Sequence, residues 1–414
     1  MKRLLLLIFL MPASLLLSQQ LELFGYYEPQ WMGVSINDHF YNVASNKLRL
    51  DIGKQFTHVE FGANVNYVTY HGKTEWHLAD YLPTHISNRI PDMLQDFLVF
   101  HFGDMAQWVG PVPMPRPDRI YLDNAFVKIG LKKLDITIGK QQLGMGTGYT
   151  WNPTDLFNVK DFLDPTYEQP GHNAVRLEMP VLPNLSLDSY FAPGEEFKNS
   201  NAMLKLKTRI GRFDLSAVAV RNAWLRTEYS NISLLTDPLN AVNTYHRHLV
   251  GGDFVGELFG LGVWGEGGYT FVDLKTGAGI ENLENYWQAV LGLDYTFDSG
   301  LYIMAEYYHD SLLPGKWQDY SLNHWMWYLT AETKALCRDN LFALAQYPDD
   351  LVTPALMIIH SISDGSAAIV PTLYWTPFQE VELTAYLNLY TGEDGRAYAK
   401  NLGNGGLIRL RVYF

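Results

Sequence analysis

Leu407-Ile408-Arg409-Leu410-Arg411-Val412-Tyr413-Phe414 closes the chain as an alternating octet. Ile408, Leu410, Val412 and Phe414 share one face, and Leu407, Arg409, Arg411 and Tyr413 share the other. Successive side chains of an extended strand point to opposite sides, so a period of two sets an apolar surface against a charged and aromatic one. Such a strand suits a position between lipid and a wet interior. The edge of a soluble sheet would also satisfy eight residues, and the rest of the chain decides between them.

The same period recurs upstream at 23–31, 47–53, 58–70, 120–130, 134–141, 174–179, 185–191, 203–210 and 213–221. It continues at 249–258, 261–271, 286–297, 301–309, 340–347, 352–360, 367–375 and 381–390, which with the terminal octet makes eighteen strands. Connections at 53–56, 130–133, 180–184, 211–212, 259–260, 298–300, 348–350 and 376–378 are short and rich in Gly, Pro, Asn and Asp, the residues of tight hairpins. Each lies between two longer connections. Short turns on one side, long loops on the other and an even strand count predict an all-β transmembrane antiparallel up-and-down barrel, with short periplasmic turns and long extracellular loops.

The opposite terminus is consistent with export. Met1-Lys2-Arg3 is positive, 4–17 is apolar apart from Pro12 and Ser14, and Leu16 and Ser18 offer a cleavage site before Gln19. We therefore expect a cleavable signal peptide over 1–18 and a single barrel domain over 19–414. Cys337 is the sole cysteine, which excludes an internal disulfide scaffold. Aromatic residues make up 14% of the chain while mean hydropathy is only -0.10, the balance expected when alternate positions alone are apolar. A net charge of -13 argues against a nucleic-acid partner.

With these residues in view, the terminal octet resembles the last strand of bacterial outer-membrane β-barrels. The resemblance implies that Phe414 is an assembly signal read by the barrel-assembly machinery. Residues 139–158, from Gly139-Lys140-Gln141-Gln142-Leu143-Gly144 to Thr154-Asp155-Leu156-Phe157-Asn158, with Asp164-Pro165 and Gln169-Pro170-Gly171, resemble a pattern in outer-membrane porins loosely related to alginate-export channels.

Fixing the lipid face of each strand fixes its lumen face. Leu48, Leu50 and Ile52 outward place Lys47, Arg49 and Asp51 inward; the same logic turns Arg176, Lys205, Lys207, Arg209, Arg409 and Arg411 to the lumen. On the far arc it turns Asp253, Glu257, Glu266, Asp294 and Glu306 inward. A basic arc facing an acidic arc is expected, with the Lys205, Lys207, Arg209 ladder solvated because no acid shares its strand face. Arg176 and Glu178 are as compatible with a neighbouring ion pair. A mixed lumen of this kind departs from the basic conduit that a polyanion exporter would need.

A barrel of this width holds an aqueous channel unless a loop folds into it. Residues 71–118, with a short helix expected near 91–100 and a proline-rich exit at 111–117, and residues 144–171 are the candidates. The second is glycine-rich, Asn152-Pro153-Thr154-Asp155 reads as a turn that caps a helical turn near Leu156, and Tyr149, Trp151, Asn152 and Asp155 are expected to form a constriction with Tyr149 or Trp151 buried. Trp264, Tyr302, Tyr308, Tyr386 and Tyr390 point inward, either to stack on sugars or to fill the interior. His246 and His248 alternate at a strand end without a third ligand, and no HExxH, G-x-S-x-G or paired-cysteine motif occurs. No catalytic residue, metal or cofactor is expected. The sequence thus reads as an outer-membrane porin for passive diffusion of small hydrophilic solutes, embedded in outer-membrane lipid. A channel for a saccharide or an anionic polymer, and a non-conducting barrel serving as adhesin or scaffold, stay open, as does the oligomeric state.

Overall fold

The computed structural model describes residues 21–37, 39–87, 113–158, 168–227, 242–273 and 285–414. The expected leader, the expected helix at 91–100 and most of the 71–118 loop lie outside them.

Eighteen antiparallel strands close into one barrel. They are β1 (Glu22–Ile36), β2 (His39–Gln55), β3 (Val59–Gly72), β6 (Arg119–Leu131), β7 (Leu134–Gln141), β8 (His172–Leu182), β9 (Leu185–Ala192), β10 (Asn201–Ile210) and β11 (Phe213–Thr227). The ring continues through β12 (Val242–Leu258), β13 (Leu261–Asp273), β14 (Tyr286–Thr296), β15 (Tyr302–Asp310), β16 (Asp339–Gln346), β17 (Val352–Ser361), β18 (Ala367–Phe378), β19 (Val381–Tyr390) and β20 (Asn404–Tyr413). Within the loop after β3, β4 (Glu75–His77) and β5 (Pro113–Pro115) form a separate two-stranded ribbon. Closure is made by β1, which pairs with both β2 and β20; at its lower end the backbones of Gly25 and Phe414 exchange two hydrogen bonds of 3.0 Å.

Alternation survives as burial. Leu48, Ile52, Val175, Leu177, Leu204, Leu206, Leu291, Leu293, Ile303 and Ile408 are exposed on the outer surface, while the alternate positions Asp51, Lys205, Glu306 and Arg409 are buried inside. An outward apolar band with a polar interior inverts the plan of a soluble protein and fits lipid on the outside.

Two connections on the long-loop side break the long and short rule: residues 362–366 between β17 and β18 are as few as those of the short turns at 297–301 and 347–351, and the first two strands nearly meet. Strands 1 and 2 do not stop at 31 and start at 47 but run on to a tight turn at Asn37, whose φ of +45° lies in the left-handed region that Asn tolerates. Asn42, Ser45 and Asn46 hid this extension, because hydrophobic alternation marks only the part of a strand that crosses lipid.

The long-loop end of the interior is packed. A helix at Leu322–Leu329 buries Trp325, Met326 and Trp327, and its start is held reciprocally: the Ser321 hydroxyl accepts the His324 N–H, and His324 Nδ1 accepts the Ser321 N–H. Trp325 and Met326 join Tyr308, Phe342, Ile359, Tyr398 and Leu402 in one apolar cluster that includes Trp76, Leu82 and Ile86 from the loop after β3.

Candidate solute pathway through the barrel

The segment between β7 and β8 crosses the interior, and two buried glutamates on the wall hold it there. Glu306, on β15, accepts the backbone N–H groups of Tyr149 (2.6 Å), Thr150 (2.8 Å) and Trp151 (3.1 Å), together with the Trp264 indole N–H (2.8 Å). Glu266, on β13, accepts the N–H groups of Thr147 (2.8 Å), Gly148 (3.2 Å) and Thr154 (2.7 Å), and the Thr154 hydroxyl (2.7 Å). Between them the two carboxyls accept six main-chain N–H groups, with the Trp264 indole, the Thr154 hydroxyl and the Asn152 amide as the side-chain donors. Gly146 makes the approach possible: its φ is +84°, and a Cβ there would collide with the Glu266 carboxylate.

Apolar contacts settle the rest of the segment. Leu143 and Met145 pack against Ala174, Tyr190, Met203, Val218, Val220 and Leu249 of the neighbouring wall. Trp151 is only 1% exposed and stacks on Tyr308 at 5.2 Å, whereas Tyr149 is 53% exposed beside Phe342. The Asp155 N–H donates to the Asn152 carbonyl, which closes the expected turn. The Asp155 carboxylate then accepts the N–H groups of Phe157 and Asn158, and its neighbour Lys334 donates to the Asn152 carbonyl. Burial pulls the Lys334 ammonium down to about 8, against the opposing pull of Asp155 and Glu266.

A third anchor reaches the seam of the barrel. Glu168, outside any strand, accepts from Tyr26 Oη (2.8 Å), Lys47 Nζ (2.7 Å) and Arg411 (2.8 Å), with Arg49 at 3.4 Å. Burial would raise its pKa, but Lys47, Tyr26 and Arg411 outweigh burial and hold the carboxyl down at about 2. Arg411 also lies over the Tyr26 ring at 4.1 Å.

The charges expected to line the wall are therefore inward, but most are not free, and the two-arc picture is corrected on this point. Arg411 and Arg409 meet Glu28 at 2.6 and 3.7 Å, Arg49 meets Asp51 and Asp123, and Arg176 meets Asp188 at 2.7 Å and Glu178 at 3.0 Å. Lys205, expected to be solvated, is buried and bonded to Asp253 at 2.7 Å, two strands away across β11. A same-face search along one strand cannot see a partner on a neighbouring strand. Lys207 and Arg209 remain about half and mostly exposed, at 3.6 Å from Asp188 and 3.8 Å from Asp214. Glu257 is exposed near Arg212, and Asp294 accepts the Tyr302 hydroxyl. Among the aromatics, Trp264, Tyr308 and Tyr386 are buried fillers of the interior. His246 bonds the Lys198 carbonyl, and no group of three metal-ligating side chains occurs among the described residues.

Tyr26 and Glu28 were readable from the period-two face of β1. Glu168 was not, since it stands on an irregular segment far from its partners. Two cavities flank the crossing segment. One of about 280 Å³ on the long-loop side includes Asp155 to Asn158 in its lining, and one of about 510 Å³ on the short-turn side includes Gly146, Thr147, Lys205, Lys207 and Arg209.

No protein-family model matches the chain, and no curated protein matches it. Solved structures do. OccAB4 of Acinetobacter baumannii aligns with a TM-score of 0.54 at 11% identity, over 96% of this chain and 98% of that one. OccAB3 of the same organism gives 0.50 at 11% identity, over 95% and 99%. A mutant of the Rh. blastica porin gives 0.42 at 11%, over 95% and 100%. At such identities the likeness shows the fold, and the fold is that of the outer-membrane β-barrel porins.

Proposed function

We propose that this barrel is a channel through which small hydrophilic solutes diffuse passively across the outer membrane, with the segment from Gly144 to Asn158 as its constriction. The carrying observation is the pair of buried carboxylates, Glu266 and Glu306, that fix that segment's main chain across the interior with a cavity on either side. Tyr149, exposed on this segment, and Trp151, Asn152 and Asp155, which shape it, are the residues assigned to the constriction. Fixed backbone across a wide barrel selects by size, and Lys207 and Arg209 below it bias the passage toward anions.

Planar-bilayer recording tests this. Glu266→Ala with Glu306→Ala removes both anchors, and replacing 149–164 by a Gly-Ser bridge removes the constriction itself. Both proteins should conduct more than the wild type and admit larger sugars in liposome swelling. A wild-type barrel that inserts but passes no current, or variants with unaltered conductance, would overturn the reading and favour a barrel whose loops are its working surface.

A further inference from the structure

The cavity on the long-loop side carries a chemistry that passive diffusion does not require. It lies between the ends of β11, β12, β14 and β15, under residues 331–334 and above residues 155–158, so a solute arriving from the long-loop side meets it before the constriction. Its volume of about 280 Å³ falls just under the roughly 300–1,000 Å³ of pockets that take drug-sized ligands, which limits an occupant to about one ring.

Two of its lining side chains are buried with a polar atom unmatched. Gln288 donates its amide nitrogen to Asp310 at 2.6 Å and to the Tyr308 hydroxyl at 3.0 Å. With its nitrogen turned to Asp310 and Tyr308, Gln288 Oε1 is left without a partner among the described residues. Trp224 is 5% exposed and its indole Nε1 likewise has none. The cavity wall thus buries one unfilled acceptor and one unfilled donor, each costly to leave dry, and an occupant reaches them as these side chains turn toward it.

The charges argue against an ion as the occupant. Arg247 and Lys334 face Asp155, Asp310 and Glu332 around the same space, a near balance. Most of their capacity is spent internally. Arg247 holds the Asn222 side chain and the Leu156 carbonyl, and Asp310 accepts from Leu312, Gln288 and Tyr308. Asp155 accepts from Phe157 and Asn158. A carboxylate or an ammonium would find both opposite and like charge around it, whereas a hydroxyl both donates and accepts. The Trp224 face is covered by Arg247 at 4.5 Å and Arg226 at 5.0 Å, which leaves the indole N–H as its one unmatched group.

From the cavity's size, its unmatched donor and acceptor and its balanced charge, we infer that it is a binding subsite for a neutral monosaccharide, bound through hydroxyl groups to Gln288 Oε1 and Trp224 Nε1. The site would concentrate the sugar at the mouth of the pathway. The inference rests on the channel reading for its role, though not for binding itself.

Two measurements separate those claims. Tryptophan fluorescence or calorimetry on the detergent-folded barrel, titrated with glucose, galactose, mannose and arabinose, should give saturable binding of at least one. In bilayers the same sugar, added on the long-loop side, should reduce current saturably. Trp224→Phe keeps an aromatic ring and drops the N–H, whereas Gln288→Met drops the acceptor together with the amide's bonds to Asp310 and Tyr308, which makes the Trp224 variant the cleaner of the two; each should weaken binding at least roughly five- to tenfold, the loss of about one hydrogen bond, with salt conductance unchanged. Folding of both variants is checked by their heat-modifiable gel mobility. Binding in detergent without any conductance would sink the channel role and leave the subsite standing. No saturable binding of a neutral monosaccharide, tighter binding of gluconate or glucosamine than of glucose, or equal affinity of wild type and folded variants would overturn the inference.

Discussion

Glu168 carries the clearest pH signature in the molecule. Its carboxyl ordinarily titrates at 4.5 and is held at about 2 by Lys47, Tyr26 and Arg411 in spite of burial. A depressed acid contributes its anchoring in full above its unfolded value and loses it as pH falls through the folded value. The tether of this segment to the seam should therefore be intact above about pH 4.5 and fail as pH approaches 2. Bilayer conductance measured downward from pH 6 should show a step in that window, and Glu168→Gln should abolish the step and behave at pH 6 like the acid form. A step of equal size in the variant would assign it to another group.

The strands bring together what no single stretch of sequence contains. Lys205 on β10 and Asp253 on β12 form a buried pair across β11, with Ser216 also donating to Asp253 at 2.7 Å. Removing one partner of a buried pair strands the other, at a cost of about 3–5 kcal/mol, while replacing both by apolar residues is often neutral. Lys205→Met should thus lower resistance to urea unfolding in lipid vesicles markedly, and adding Asp253→Leu should restore most of it. If the double variant is as weak as the single, the pair is not the cause. This pair also marks the limit of what can be read from the chain. Strand number and barrel class were legible because period two and turn chemistry are local. The helix at Leu322–Leu329 was legible in principle, since Leu322, Trp325, Met326 and Leu329 recur at helical spacing after a capping Ser321. Glu168 at the seam and the Lys205 partner were not, because both depend on which strands end up adjacent.

Over the whole molecule, closure joins the two ends of the described chain. β1 pairs with β20, and the ring of Phe414, 59% exposed, lies against the backbone at Gly25. Pairings between distant segments are the slow part of folding, and until β20 arrives both β1 and β19 expose an unpaired edge. We expect removal of Phe414 to reduce outer-membrane levels severalfold while leaving yield on refolding into detergent near wild type, since its assigned role is recognition rather than packing. Equal surface levels would count against that role.

The two wall carboxyls grip the crossing segment mostly by its peptide N–H groups, with the Thr154 hydroxyl and the Asn152 amide as the segment's own side-chain donors. At Tyr149 it is the main chain that Glu306 holds, so that exposed side chain can change in size, charge or aromaticity while the scaffold that presents it stays put. Under the channel reading proposed above, the segment is in that sense a replaceable insert, whose selectivity can be rewritten one side chain at a time without renegotiating the fold.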